Sequence, residues 1–210
     1  MRMDYKTVKQ QGEAEILINK SRFIASVKRT ETEQEALEFI QEIKQKHASA
    51  THNCSAYLIG EHDNIQKAND DGEPSGTAGF PMLEVLKKQG LKDTTVVVTR
   101  YFGGIKLGGG GLIRAYGRST TEGVAAAGIV ERVLHSSMIV TVDYTALGKV
   151  ENEVRQSEWP LDRIEYGELV TLYIFVPTSE VEQFQGWIAD LTNGQAELSE
   201  DEPKFLEFSV

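Results

Sequence analysis

One cysteine, Cys54, in 210 residues leaves no partner for an intrachain disulfide and fits a reducing compartment. The N-terminus MRMDYKTVKQQGEAE carries no apolar signal-peptide core. No stretch approaches the roughly 20 apolar residues of a membrane span. A cytoplasmic protein with no membrane partner is expected. Low-complexity segments and internal repeats are absent as well, so neither a disordered linker nor a solenoid is indicated. What is there is ordinary globular material, 40% hydrophobic and 26% charged, enough for a real core.

Charge of one sign is scarce in the second half. Residues 1–135 hold 18 Lys and Arg against 17 Asp and Glu, a balance of +1, whereas residues 136–210 hold 4 against 15, or −11. This asymmetry predicts two domains, 1–135 and 136–210, with different partners. A basic protein would suit the acidic half; the plainer reading is a self-repelling, soluble surface.

Periodicity gives the elements. Glu13–Asn19 and Ser21–Arg29 alternate as two strands of a hairpin, and Thr32 caps a helix running through His47 with Glu35 in capping-box position. His52–Gly60 reads as a strand with Asn64–Asn69 a short partner, and a helix follows the turn-rich Asp70–Pro81 and runs to Gln89. Thr94–Phe102 is a β-branched strand, then comes a glycine loop, then a helix from about Leu112 to Ala127. From Ser136 the order is strand, helix (Ala146–Glu158), two strands, helix (Thr178–Leu191), strand: the ferredoxin-like β-α-β-β-α-β pattern. The expected fold class is α+β, with two α/β-sandwich domains.

Glycine is concentrated: six of 19 lie between Gly103 and Gly111, namely Gly103, Gly104, Gly108, Gly109, Gly110 and Gly111. Such a run means positive φ, close backbone approach, or a guest. A helix start offers free N–H donors to an anion, and Arg100, Lys106, Arg114 and Arg118 flank it. The run is neither a Walker A loop, lacking Gly-Lys-Ser/Thr, nor a dinucleotide fingerprint, which fails at Ile113. Tyr101 beside it is suited to base stacking, while Phe102 is assigned to the core.

Upstream, Asp70, Asp71 and Glu73 are three carboxylates in four residues. They read as an exposed turn in which Ser75 or Thr77, on either side of Gly76, caps the next helix, as a wall of the anion site, or as a Mg²⁺ site. His52 and Cys54 share a strand face but lack further zinc ligands. His52 lining the anion site is favoured over a Cys54 nucleophile. Ser75 lies in no Gly-x-Ser-x-Gly elbow.

Together HNCSAYLIG, NDDGEPSGTAGFPMLEVL and VVVTRYFGGIKLGGGGLIRAYG resemble the IMPACT family, in its YigZ-type bacterial branch, over about residues 15–130. The downstream pattern is similar to the small acidic domain of bacterial members. The resemblance implies an N-terminal β-α-β superfold shared with a ribosomal small-subunit protein, elongation factor G and the GHMP small-molecule kinases. It also implies a C-terminal ferredoxin-like domain similar to one in elongation factor G. Eukaryotic members regulate translation by blocking activation of the general-control kinase through an additional N-terminal domain. This chain reaches its first expected strand at Glu13, so only a translation-linked role is expected here. The family's motif positions fall here on His52, Asp70, Asp71, Gly72, Glu73, Pro74, Gly76, Thr77, Gly79 and Pro81. They continue through Arg100, Tyr101, Gly103, Gly104, Lys106, Gly108, Gly109, Gly110, Leu112, Arg114 and Tyr116.

The leading expectation is a non-catalytic RNA- or ribosome-associated regulator of translation that needs no cofactor. It would hold phosphate at Gly108–Gly111 with Arg100, Lys106 and Arg114, and His52 with Asp70–Glu73 opposite. The alternatives are a Mg-assisted enzyme on a nucleotide or other phosphate ester, and a protein–protein regulator whose glycines are structural.

Overall fold

The computed structural model describes residues 4–210. Its elements in chain order are β1 (Tyr5–Val8), β2 (Gly12–Ile18), β3 (Ser21–Arg29), α1 (Glu33–Lys46), β4 (His52–Ile59) and β5 (Ile65–Asn69). There follow α2 (Gly79–Lys88), β6 (Thr94–Tyr101), α3 (Gly108–Ala127), β7 (Ile129–Val142), α4 (Tyr144–Gln156) and β8 (Leu161–Tyr166). The last are β9 (Val170–Pro177), a 3₁₀ turn (Thr178–Glu180), α5 (Val181–Thr192) and β10 (Glu197–Ser209). This is an α+β fold, as the periodicity predicts. The chain divides into two compact units, Asp4–Arg132 with Phe208–Val210, and Val133–Glu207. Among the described residues no helix is long and apolar enough to cross a membrane.

In the first unit an antiparallel sheet runs β2-β3-β6-β4-β5. Its hairpin β2–β3 turns on Asn19 and Lys20, both at positive φ (45° and 64°), between the paired Ile18 and Ser21. That is the left-handed two-residue turn whose twist matches the strands. Strand alternation sends Phe23, Ala25, Val27, Cys54, Ala56, Leu58, Val96 and Val98 to one face, where they pack with Met82 and Leu86 of α2 and Leu112, Tyr116 and Val124 of α3. The opposite face presents Tyr57, Ile59 and Val97 to Ala36, Phe39 and Ile43 of α1. The capping box forms: Glu35 N–H donates to Thr32 Oγ1 at 3.2 Å and the Glu35 carboxylate accepts from Glu31 N–H at 2.8 Å. Strand β1 pairs with the start of β7, Tyr5 against Arg132 through Val8 against Ile129.

In the second unit β7, α4, β8, β9, α5 and β10 follow in the ferredoxin-like order, with the sheet reading β10-β7-β9-β8. Met138, Val140, Leu172, Ile174 and Val176 face Val150 and Val154 of α4 and Phe184 and Ile188 of α5. Asn193 ends α5 in the left-handed conformation (φ 52°).

Candidate functional site

The two core-facing columns of β4 and β6 change character at one end of the sheet. Val98 is followed on its face by Arg100, and Cys54 is preceded by His52; the two are register partners, while Ser21 precedes Phe23 on β3. Apolar columns thus end in His52, Arg100 and Ser21. Arg100 is only 5% exposed. Its Nη1 donates to Glu73 Oε1 at 2.7 Å and its Nη2 reaches Ser21 Oγ at 3.4 Å, while its Nε–H is buried with no partner. The guanidinium lies between the Phe23 and Phe102 rings, 5.3 and 5.4 Å from their centroids. Tyr116 donates its hydroxyl to the same Glu73 oxygen at 2.8 Å. Burial pushes the Tyr116 hydroxyl far up, so it stays a proton donor. His52 donates Nδ1–H to the Asp71 carbonyl at 2.8 Å, which turns its Nε2 toward Glu73 Oε2 at 3.8 Å.

Above this floor lies a cleft of about 410 Å³. His52, Glu73, Arg100, Lys106 and the helix start at Gly108 and Gly109 line it, with Phe102, Leu107 and Leu112 as apolar wall and Thr51 and Pro74 at the margin. The first turn of α3 has no side-chain cap. Gly108 and Gly109, which carry free N–H groups of that positive helix end, line the cleft together with Lys106. Cationic groups outnumber the lone Glu73 carboxylate, which is itself neutralised by Arg100. The site suits an anion with an apolar neighbour.

Several expected site residues stand elsewhere. The glycine run is not a loop throughout: Gly108, Gly109, Gly110 and Gly111 form the first turn of α3, which begins four residues before the expected Leu112. Gly110 and Gly111 lie outside the cleft lining, as does Arg114, whose Nη1 folds back over Gly110 on the exposed side of the helix. Gly103 packs against the β2–β3 turn and Gly104 takes φ +85°. The two aromatics exchange places. Phe102 has the parity of Arg100 and is 46% exposed at the cleft, not in the core. Tyr101 has the opposite parity and bonds His47 Nδ1 through its hydroxyl at 2.9 Å, away from the lining.

Asp70 and Asp71 are structural. The Asp70 carboxylate accepts from the N–H groups of Gly76, Ala78 and Gly79 at 2.8–3.1 Å, so it, and not Ser75 or Thr77, caps α2. Thr77 instead donates its hydroxyl to the Pro74 carbonyl, and Ser75 is exposed. Asp71 pairs with Lys44 at 2.8 Å and accepts from Asn53 N–H at 2.7 Å. Burial works to raise both carboxyls, yet these bonds outweigh it and hold them below the ordinary carboxylate range. Their oxygens are committed to the fold, so of the three carboxylates in this turn Glu73 is the one that lines the cleft. No group of three His, Cys, Asp or Glu among the described residues is placed to hold a metal ion. Burial also pushes the Cys54 thiol up to about 12, and it donates to the Asp70 carbonyl, so the nucleophile reading fails.

A pH test follows. A carboxyl held low when folded stabilises the fold above its unfolded value, near ~4, and that stabilisation disappears as the pH falls through the folded value. Asp70→Ala is expected to cost about 1–2 kcal/mol at pH 7, as lost helix caps do. The gap from the parent should narrow below about pH 4 in urea titrations, as the parent's own Asp70 protonates. A gap independent of pH would remove Asp70 as an ionised cap.

Sequence reasoning missed Thr51, Leu107 and the exposure of Phe102, and it left Tyr116 out of the site. Strict period-two counting along β6 from Val96 would have placed Arg100 and Phe102 together.

The geometry defines a class: a two-unit α+β protein whose first unit carries a cation-rich cleft at the junction of a sheet end and an uncapped helix start. The chain belongs to the IMPACT family. It matches the Impact N-terminal domain over residues 19–124 and a domain of unknown function, DUF1949, over residues 140–195. It is 60% identical to the IMPACT family member YvyE of Bacillus subtilis, covering 98% of this chain and 95% of that one. It is 33% identical to the IMPACT family member YigZ of Escherichia coli, covering 86% and 90% of the two chains. Protein IMPACT of Homo sapiens shares 44% identity over 66 residues, which is 30% of this chain and 20% of that one. A crystal structure described as that of a hypothetical protein superposes with a TM-score of 0.61 at 30% identity, covering 96% of this chain and 99% of that one.

Proposed function

We propose that this chain is a cytoplasmic RNA- or ribosome-associated protein that modulates translation and holds a phosphate in the cleft of its first unit. The observation that carries the reading is the meeting of Arg100, with its unpartnered Nε–H, Lys106 and the uncapped start of α3 around one cleft. Backbone donors and cations of this kind are the ordinary equipment for phosphate. Phe102, exposed at the rim, offers a face for a base. Membership of the IMPACT family is consistent with the translation-linked role. The acidic second unit would not attract RNA; it suits a basic protein partner, as ribosomal proteins commonly are.

The test is salt-dependent binding of single-stranded RNA, together with co-sedimentation with ribosomes. One or two neutralised phosphates predict a log–log salt slope of about −1. Lys106→Ala should weaken binding and flatten that slope. No binding at low salt, or a slope indifferent to Lys106→Ala, would defeat the reading.

A further inference from the structure

Resting on that reading, and sharpening it, we infer that the cleft selects a terminal phosphomonoester carried on a single nucleotide, rather than an internal phosphodiester of a passing strand. The floor is closed. Arg100 is 5% and Glu73 8% exposed, and Tyr116 is fully buried beneath them. A phosphate that carries chain on one side only can enter deepest toward this closed end, with its chain trailing to the open side.

The donors match that guest. The Arg100 guanidinium already spends Nη1 on Glu73, and its Nε–H is a buried donor without a partner on a residue that lines the cleft. Gly108 and Gly109 bring the bare N–H groups of the first turn of α3, and Lys106 brings a mobile ammonium. A monoester offers three terminal oxygens and nearly two negative charges at neutral pH, whereas an internal diester offers two free oxygens and one charge.

The walls match the rest of the guest. Phe102, Leu107, Leu112 and Pro74 line the cleft, and about 410 Å³ is room for one nucleotide rather than for bare phosphate alone. Gly109 supplies the remaining argument. Its φ is not positive, and an added Cβ would meet only Thr77 Cγ2 at 3.9 Å, an ordinary contact. The fold leaves room for a side chain there, and its absence lets a guest in the cleft approach the backbone closely.

The experiment compares one short RNA with a 5′-phosphate or a 5′-hydroxyl by fluorescence anisotropy, with adenosine 5′-monophosphate as competitor. Binding is repeated on Gly109→Asp. Its carboxylate would repel a phosphate, yet an acidic residue in a first helical turn favours the fold, so its melting temperature should not fall. The expected result is roughly tenfold tighter binding of the 5′-phosphorylated RNA, the worth of one added charge-assisted hydrogen bond. That preference should vanish in Gly109→Asp, and the mononucleotide should compete. Binding of the mononucleotide without RNA would support the terminal-phosphate inference while ending the RNA reading. Equal affinity for both RNA ends would end the inference and leave the RNA reading standing. A preference that survives Gly109→Asp would place the site elsewhere and overturn the inference.

Discussion

Glu73→Ala is expected to lower the unfolding free energy by about 3–5 kcal/mol, the range seen when one partner of a buried ion pair is deleted. The side chains of Glu73 and Arg100 are almost wholly withdrawn from water, and their contact is 2.7 Å. Alanine would leave a guanidinium in a near-dry wall with Ser21 Oγ as its remaining polar contact, at 3.4 Å. The Tyr116 hydroxyl would lose its acceptor at 2.8 Å as well. A control separates the stranded charge from lost packing. Replacing both partners, Glu73→Leu with Arg100→Met, removes the charge together with its counterion, and such exchanges are often neutral or stabilising. The double variant should therefore recover most of the loss in urea titrations while binding no phosphate. If Glu73→Ala costs under about 1 kcal/mol, or the double variant is no better, the pair is not the closed floor described above.

The elements of the second unit were nearly all legible in the sequence. Their boundaries are punctuated by Pro160, Gly167, Pro177 and Asn193-Gly194, and Val170, Leu172 and Ile174 alternate inward along β9. In the first unit the hairpin, the capped α1 and the β-branched β6 were equally clear. What escaped depends on residues distant in the chain. Strand β1 has four residues, and its partners in β7 lie more than 120 positions away, so no local periodicity announces it. Asp70 caps α2 from nine residues before the helix begins, across a turn held by positive φ at Asp71, Gly72 and Gly76. A capping rule that looks only next to the helix chooses Ser75 or Thr77 instead. The site was half legible. Glycines and cations marked its place, but composition could not separate Arg100 in the floor from Arg114 on the outer side of the same helix start. Nor could it separate Phe102 from Tyr101, since that distinction is a matter of strand parity.

Gly103→Ala is expected to cost at least about 2–3 kcal/mol, at or above the upper end for overpacking, because the added atom meets backbone and not a movable side chain. A Cβ at Gly103 would lie 2.1 Å from both the carbonyl carbon and oxygen of Lys20 and 2.5 Å from Ser21 N. Those atoms belong to the β2–β3 turn, where Asn19 and Lys20 already hold positive φ and the strand register fixes both ends. The turn has little freedom to retreat. Displacing it would also move Ser21, whose Oγ accepts from Gly103 N–H at 3.2 Å and meets Arg100 Nη2. The damage should thus appear twice, as a lower denaturation midpoint and as weaker phosphate binding. Gly109→Ala, six residues on in the same run, makes only an ordinary contact with Thr77 Cγ2 and has an ordinary φ, so its midpoint should hold or rise slightly. A run of glycines that looks uniform in sequence therefore divides by physical cause, one member required by a backbone crossing and another only by a guest. Equal midpoints for the two alanine variants would refute that division, and with it the claim that Gly109 is kept bare for a ligand.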